Sequence, residues 1–312
     1  MARAQGARSQ LAAAFETTYG TAPATGFSRL PFASETLGSE QPLLENELLG
    51  YGRDPLAPIK DVVTTSGSIV VPIDVAAFGF WLKGAFGDPV TVDGPPAVHT
   101  FQSGAWDLPS LSIEKAMPEV PYFPMFTGAV VDKLSWTMAR GGQLTATVDL
   151  IAQGETPATV SNAGSVADIP VQRFGNFNGQ IKRGGTVLAN LITADIAYGN
   201  NLDPVEVIRA DGKIDGVDPS MAMLSGRLTS RFADTVLIDQ ATAGDPCELV
   251  FAYSLSASAK FTFTAHAVYL PKPKVTIDGP KGVQVTFDWQ AAMADVPGRM
   301  CTAVLTNTVE GY

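Results

Sequence analysis

The sequence is poor in the residues from which catalytic and metal sites are most often built. It has two histidines and two cysteines in 312 residues. Neither His99 nor His266 has a second His or Cys at metal-ligand spacing. No phosphate loop, dinucleotide fingerprint or Gly-x-Ser-x-Gly motif is present. We therefore expect no enzyme activity, no cofactor and no metal ion.

Charge and long apolar runs are also scarce. Charged residues make up 17% of the chain and its net charge is −10, so it lacks the surplus of Lys and Arg that grips nucleic-acid phosphates. The chain contains no run of 18 apolar residues, so no membrane-spanning helix is predicted. The basic start has an apolar core, Leu11 to Phe15, that is too short for a signal peptide. We expect a cytosolic chain in which Cys247 and Cys301 stay reduced.

What the sequence has in abundance is period-two alternation of apolar and polar residues, which is typical of β-strands with one buried face. Two similar hairpins are predicted, one near residues 130–150 and one near 261–290. Their polar faces include Thr145, Thr147 and Asp149 in the first half of the chain, and Gln284, Thr286 and Asp288 in the second. The fold class is therefore predicted to be mainly β.

Helices are few, and the two best ones belong to a repeated pattern. One is predicted over 75–86 with Asp74 as N-cap and Gly87 as stop, and the other from near Arg231 to Gly244. Each follows a Ser-Gly pair and is followed by Asp-Pro. Matching positions lie 159 or 160 residues apart, and later 139 apart; they are Phe32 and Ile192, Glu47 and Glu206, Ser66 and Ser225, and Asp149 and Asp288. The first half thus holds about twenty extra residues, which we predict at 116–126.

The repeat predicts two tandem β domains. Their predicted ranges are 28–160 and 174–312, preceded by an N-terminal segment 1–27 and joined by a linker 161–173. The stretch 38–65 is predicted to be a protruding arm, because it mixes Pro, Gly, charge and leucine. Its candidate contact residues are Leu43, Leu44, Glu45, Glu47, Leu48, Arg53 and Asp54.

Two binding functions compete with a structural one. The segment DGKIDGVD at 211–218 resembles a calcium loop, but Lys213 stands where an oxygen ligand is needed, so an exposed turn is favoured. A fibre or carbohydrate-binding β-sandwich is the alternative function, and it would need exposed aromatic platforms. Trp136 and Trp289 lie on apolar strand faces, which leaves Trp106 in a loop-like stretch.

Three phrases of the sequence resemble a known family. They are FETTYGTAP near the start, RLPFASETLGSEQPLLENELLGYGRDP, and SGSIVVPIDVAAFGFWLKGAFGDP. In their residues and in their order along the chain, these segments look like the tail tube proteins of long, flexible-tailed (siphovirus-type) bacteriophages. The resemblance covers about the first ninety residues.

The resemblance implies that the chain forms two tandem tail-tube-like β-sandwich or barrel domains, each with a short flanking helix. It also implies subunits that join their sheets around a ring, with a β-lined channel for DNA and a long loop that reaches the next ring. Most members of the family carry one tube domain and form hexameric rings. A doubled chain therefore implies trimeric, pseudo-hexameric rings. It also implies tape measure, tail terminator and distal tail proteins as partners, and a virion protein assembled in the host cytoplasm. The polar sides of the two hairpins either line the channel or point outward to solvent. The alternation of apolar and polar residues is compatible with both orientations.

Overall fold

A computed structural model of the protein describes residues 3–277 and 279–312, and its secondary structure is mainly β, as predicted. Strands of the first half are β1 (Gln10–Phe15), β2 (Ser28–Arg29), β3 (Ser34–Glu35), β4 (Gly38–Glu40), β5 (Leu43–Leu44), β6 (Ile59–Lys60), β7 (Thr64–Pro72), β8 (Val90–Val92), β9 (Ala97–Gln102), β10 (Leu111–Ala116), β11 (Met125–Ala139), β12 (Thr145–Ala152), β13 (Gly154–Thr156) and β14 (Ala167–Asp168). Strands of the second half are β15 (Gly179–Arg183), β16 (Thr186–Val187), β17 (Leu191–Gly199), β18 (Leu202–Val205), β19 (Gly216–Pro219), β20 (Met223–Arg231), β21 (Cys247–Ser256), β22 (Ala259–Tyr269), β23 (Gln284–Ala292) and β24 (Cys301–Asn307). The helices are α1 (Phe78–Phe86), α2 (Val236–Ala243) and two 3-10 turns, Gly6–Arg8 and Asn176–Asn178.

Strands from both halves of the chain form one continuous central sheet. Its order is β7–β12–β11–β17–β20–β23, and all neighbours are antiparallel. Short pairings of β3 and β4 continue it beyond β7. Strand β11 joins the halves, because its residues 130–136 pair with β12 while 133–139 pair with β17. The sheet therefore takes three long strands from each half.

The two halves of this sheet repeat each other in register. Residues of β20 and β17 lie 159 positions after their counterparts in β7 and β3–β4, and residues of β23 lie 139 positions after those of β12. Matching opposed pairs are Ser66–Ile151 and Ser225–Gln290, Pro72–Thr145 and Arg231–Gln284, and Ser34–Val70 and Thr193–Thr229. The repeat predicted from the sequence is thus present in the backbone pairing.

Two further sets of strands, which join the central sheet at β11 and through the pairing of β22 with β23, pack on its apolar face. One has the order β2–β1–β10–β11–β13 and the other β16–β15–β21–β22–β24–β9–β8. The Trp136 ring meets Phe263 at a centroid distance of 5.0 Å, and Trp289 stacks on Phe251 at 6.1 Å. Buried apolar side chains from both halves form one continuous core cluster, so the halves do not have separate cores.

The extra residues of the first half form the hairpin β8–β9. Residues 87–110 separate α1 from β10, whereas only residues 244–246 separate α2 from β21. The prediction that placed the insertion at 116–126 is therefore wrong. Strand β9 pairs with β24 near the other end of the chain, and no local sequence pattern encodes a contact over that separation.

Both predicted helices form, and each is followed by the predicted glycine. Helix α1 begins three residues later than predicted, at Phe78. Asp74 still satisfies its first turn, because Oδ1 accepts a hydrogen bond from the Phe78 backbone N–H at 2.6 Å. Helix α2 begins at Val236 rather than near Arg231, since Arg231 is still paired in strand β20.

The segments outside the two predicted domains are also parts of the sheets. Strand β1, within 1–27, pairs along its length with β10. Within 161–173, β14 pairs in parallel with β2. Because β9 from the range 28–160 pairs with β24 from the range 174–312, strands cross between the two ranges. The division into two domains stays a prediction.

Candidate assembly surfaces

The predicted channel residues lie on one face of the central sheet, which we call the polar face. One row of directly opposed residues crosses five strands through Thr147, Ser135, Ala197, Ser225 and Gln290. Opposed residues share a sheet face, and so do alternate residues along a strand. The polar face therefore includes Thr145, Thr147, Asp149, Gln284, Thr286 and Asp288. The first three are half-buried and the last three are exposed.

Cations balance the carboxylates on the polar face. Arg227 Nε lies 2.6 Å from Asp288 Oδ1. Asp149 Oδ1 accepts a hydrogen bond from Ser68 Oγ at 2.6 Å, and Asp149 lies opposite Lys133 in the ladder. The charged residues of the six long strands on this face are Asp149, Asp195, Asp288, Lys133, Arg227 and Arg231. The face is thus polar and charge-balanced, although the whole chain is acidic.

Most residues of the segment predicted as an arm, 38–65, are exposed, and we call this segment the first arm. It leaves the sheet through β4, which pairs with β7, and β5 pairs with β6 in a short hairpin. The predicted contact residues Leu43, Leu44, Glu45, Glu47, Leu48, Arg53 and Asp54 are all exposed. Leu49, which the prediction did not include, is 93% exposed beside Leu48. Apolar surface of this kind commonly marks an interaction site.

A second arm, formed by residues 202–219, was not predicted. Its hairpin β18–β19 repeats the register of the first arm. Leu202 lies opposite Pro219, and the residues 159 positions earlier, Leu43 and Lys60, also lie opposite each other. The exposed pair Val207 and Ile208 corresponds at the same offset to Leu48 and Leu49. The match of Glu47 with Glu206 in the sequence repeat is the signal from which the second arm could have been predicted.

The DGKIDGVD segment lies in the second arm, and an arginine holds its carboxylates. Arg209 donates from Nε to Asp211 Oδ1 at 3.0 Å and from a terminal nitrogen to Asp215 Oδ1 at 2.7 Å. The hydrogen bonding of Arg209 to Asp211 lowers the pKa of Asp211 to about 2. No group of three or more His, Cys, Asp or Glu side chains suited to a metal ion occurs in residues 3–277 and 279–312.

The histidines have structural partners. His99 is buried in β9, where Nδ1 lies 2.9 Å from Thr91 Oγ1 and Nε2 lies 2.9 Å from the Val309 carbonyl. His266 Nε2 lies 2.8 Å from Thr302 Oγ1, and burial lowers its pKa. These contacts tie neighbouring strands and turns together.

The cysteines and tryptophans are mostly buried. Burial raises the pKa of the Cys301 thiol to about 12, and both cysteines are free thiols, so Cys301 is a poor nucleophile. Trp81, Trp136 and Trp289 are buried, and Trp106 alone is exposed. Tyr51 and Phe177 are exposed as well, so Trp106 is one of several exposed aromatic rings.

A mainly β chain with an internal repeat, a polar sheet face and exposed arms has the features of a β-rich structural protein. The family model described as phage tail tube protein matches residues 6–291, across both halves of the repeat. The chain therefore belongs to the phage tail tube protein family and is a structural component of the phage tail. No curated protein matches the chain. In the described part of the chain, no helix has the length and apolar character needed to cross a membrane.

Proposed function

We propose that three copies of the chain close a ring with pseudo-sixfold symmetry, and that the rings stack into the tail tube of a long, flexible-tailed phage. The observation that carries this proposal is the repeated register of the central sheet, in which each half supplies an equivalent set of strands. One chain then fills two of six positions. Closed symmetry also removes open sheet edges, which otherwise promote aggregation. In this proposal, the ranges 28–160 and 174–312 act as the two ring units.

Native mass spectrometry of assembled protein, together with a cryo-EM reconstruction, tests the stoichiometry. We expect three chains in each ring and six similar units in its density. Six chains in each ring would contradict the proposal and leave one half of every chain outside the common wall.

Both arms are proposed to contact the adjacent ring. Their tips hold exposed aliphatic pairs at equivalent positions, Leu48–Leu49 and Val207–Ile208, and burying such surface favours association. Deleting residues 42–56 is expected to leave folded protein that no longer forms tubes. Replacing either aliphatic pair with two aspartates should separate the contributions of the two arms. Normal tube yield from all of these variants would remove the arms from the inter-ring contact.

The polar face is proposed to line a channel through which DNA passes without specific binding. Its balanced charge supports this, because no surplus of cations is present to hold phosphates. A double variant, Asp149→Lys with Asp288→Lys, should assemble but slow DNA ejection, since each added cation provides a phosphate contact. The matched control is Asp149→Asn with Asp288→Asn. Equal ejection rates for both variants would favour a polar face that points outward.

Membership of the tail tube family supports the remaining parts of the proposal. The tube would contact a tape measure protein, a tail terminator and distal tail proteins. The chain would assemble in the host cytoplasm and act without catalysis, cofactor or membrane insertion. Pull-down of the tape measure protein by wild-type rings, but not by dissociated chains, would support the partner assignment.

A further inference from the structure

The last hairpin of the chain is only partly formed. In the first half, β11 pairs with β12 on one side and with β17 on the other. In the second half, β22 pairs with β23 only over residues 267–269. Residues 270–277, which we call the closing segment, belong to no strand. The edge of β23 that faces away from β20 therefore has no strand partner over 284–289 in the described structure.

The closing segment corresponds to the part of β11 that joins the halves. Tyr269 lies opposite Gln290, and the residues 139 positions earlier, Val130 and Ile151, also lie opposite each other. With the same offset, residues 270–277 match 131–138 of β11, and the following turns have equal length. The core-facing residues Trp136 and Met138 are buried. Their counterparts, Val275 and Ile277, are 40% and 78% exposed, so the matching apolar face is left uncovered in a single chain.

The edge that would receive the closing segment lies at the other end of the central sheet. Strands β3 and β4 are the counterparts of β17, but within residues 3–277 and 279–312 they pair only with β7. Two backbone groups on this edge are held by side chains rather than by a strand. The Leu37 carbonyl accepts from Lys115 Nζ at 3.0 Å, and the Ser39 N–H donates to Glu155 Oε2 at 3.2 Å.

We propose that the closing segment of one copy pairs, as an antiparallel strand, with residues 35–40 of a second copy of this chain. The inference deepens the proposed ring, on which it rests, by assigning the junction and its register. Within the chain, Lys133 faces Gly199 and Thr137 faces Asp195. Applying both offsets places residues opposite each other as follows: Lys272 and Glu40, Lys274 and Gly38, Val275 and Leu37, and Thr276 and Thr36.

This register is chemically complementary. Lys272 would face Glu40, and neither side chain forms a hydrogen bond or ion pair with the described residues of its own chain. Val275 would face Leu37, so that both apolar side chains meet over the core. Pro271 and Pro273 carry no N–H, which limits the ladder mainly to residues 274–277. Proline is a common means of keeping an unpaired edge from associating indiscriminately.

A disulfide between copies tests the register in the full-length protein. The variant Lys274→Cys with Gly38→Cys places two thiols directly opposite, and a Cβ at Gly38 would have no atom closer than 4.0 Å. Oxidation should link the copies into covalent trimers. The control, Lys274→Cys with Glu40→Cys, sets the thiols on a diagonal about 7–8 Å apart, too far for a disulfide, and should stay uncrosslinked.

Charge reversal provides a second measurement. Glu40→Lys or Lys272→Glu alone should weaken association up to about fivefold at each junction, the upper range for a directly opposed pair. The double exchange should restore it, while circular dichroism confirms that all three variants fold. Rings without the Lys274–Gly38 crosslink, or with equal crosslinking in the diagonal control, would overturn the assigned junction and leave the proposed ring standing. Absence of any ring in the wild-type protein would overturn the proposed function itself.

Discussion

The two helices follow the same sequence pattern but lie in different surroundings. Eight of the nine residues of α1 are buried, whereas only Leu237 and Ala241 are buried among the eight residues of α2. Both helices follow a Ser-Gly pair at the start of the pattern and end at a glycine with positive φ. The local pattern thus determines that a helix forms and where it ends, but not how deeply it is buried.

The residues that bury α1 come from distant parts of the chain. Strand β9, in the insertion, contacts α1, and the C-terminal Tyr312 lies against Gly79 so closely that a side chain there would collide with its ring. Tyr312 Oη donates to the Ala76 carbonyl at 2.6 Å, and Lys83 Nζ donates to the Tyr312 carbonyl at 3.0 Å. Helix α2 has no equivalent insertion behind it. We therefore expect equivalent substitutions to cost more stability in α1 than in α2.

The largest difference is expected for a core substitution. Trp81→Ala should lower the free energy of unfolding by about 3–5 kcal/mol, because it empties a large buried volume. The matched position, Ile238, lies 157 residues later and is half-buried, so Ile238→Ala should cost only about 1 kcal/mol. Urea denaturation of both variants measures the difference. Equal losses would show that α2 is as well packed as α1.

A pH effect on stability is expected at the start of α1. Asp74 is buried, and this burial raises its pKa to about 6. The folded state therefore keeps a proton that the unfolded state releases near pH 4. Stability associated with this group is complete below pH 4 and is lost as the pH rises through 6, by roughly 3 kcal/mol for a shift of about two units.

Asp74→Asn should remove most of this pH dependence. Its side-chain oxygen can still accept from Phe78 N–H, and it has no carboxylate to desolvate, so the variant should be more stable than wild type at pH 7. The control is Asp234→Asn beside α2, where the carboxylate is exposed and accepts from Val236 N–H at 3.1 Å. Thermal unfolding between pH 4 and 7 compares the two. A wild-type pH profile for Asp74→Asn would contradict the buried, protonated carboxyl.

The glycines that end the helices should also differ. Gly87 has φ 85° and ψ −169°, a conformation essentially restricted to glycine, whereas Gly244 has φ 77° and ψ 1° in the left-handed helical region. Alanine would meet no atom closer than 3.5 Å at either site, so backbone strain decides the outcome. We expect Gly87→Ala to cost about 2 kcal/mol and Gly244→Ala about 1 kcal/mol. A larger loss at Gly244 would reverse this part of the comparison.

Local patterns predicted the elements that are locally determined. Alternation at 130–150 located β11 and β12, and glycines located both helix ends. The start of α2 was misplaced because Arg231 is held in β20 by its partner Gln284, a long-range pairing. Two other pairings were not predicted for the same reason: β11 pairs with β17, which joins the halves, and β9 pairs with β24. Tertiary contacts, and not local sequence, determine which strands pair.

The candidate surfaces were predictable in membership but not in electrostatics. Period-two alternation correctly grouped Thr145, Thr147 and Asp149 on one strand face, because that grouping is local. It could not show that Ser68 and Lys133 surround Asp149, since these residues reach it across two different ladders. The second arm was missed because its residues differ from those of the first, while its backbone register is the same.

The smallest effect is expected where the repeat differs only at the surface of the polar face. Asp149 and Asp288 are equivalent, and so are their partners, Ser68 and Arg227. Exposed ion pairs contribute little, because solvent and salt screen them and ordering long side chains is unfavourable. The reciprocal exchange, Ser68→Arg with Arg227→Ser, should therefore leave the melting temperature of the chain indistinguishable from wild type, and it preserves the net charge. Thermal unfolding at low and at high salt measures this. A clear loss of stability that disappears at high salt would mean that the arrangement of charges, and not only their balance, differs in importance between the two halves of the sheet.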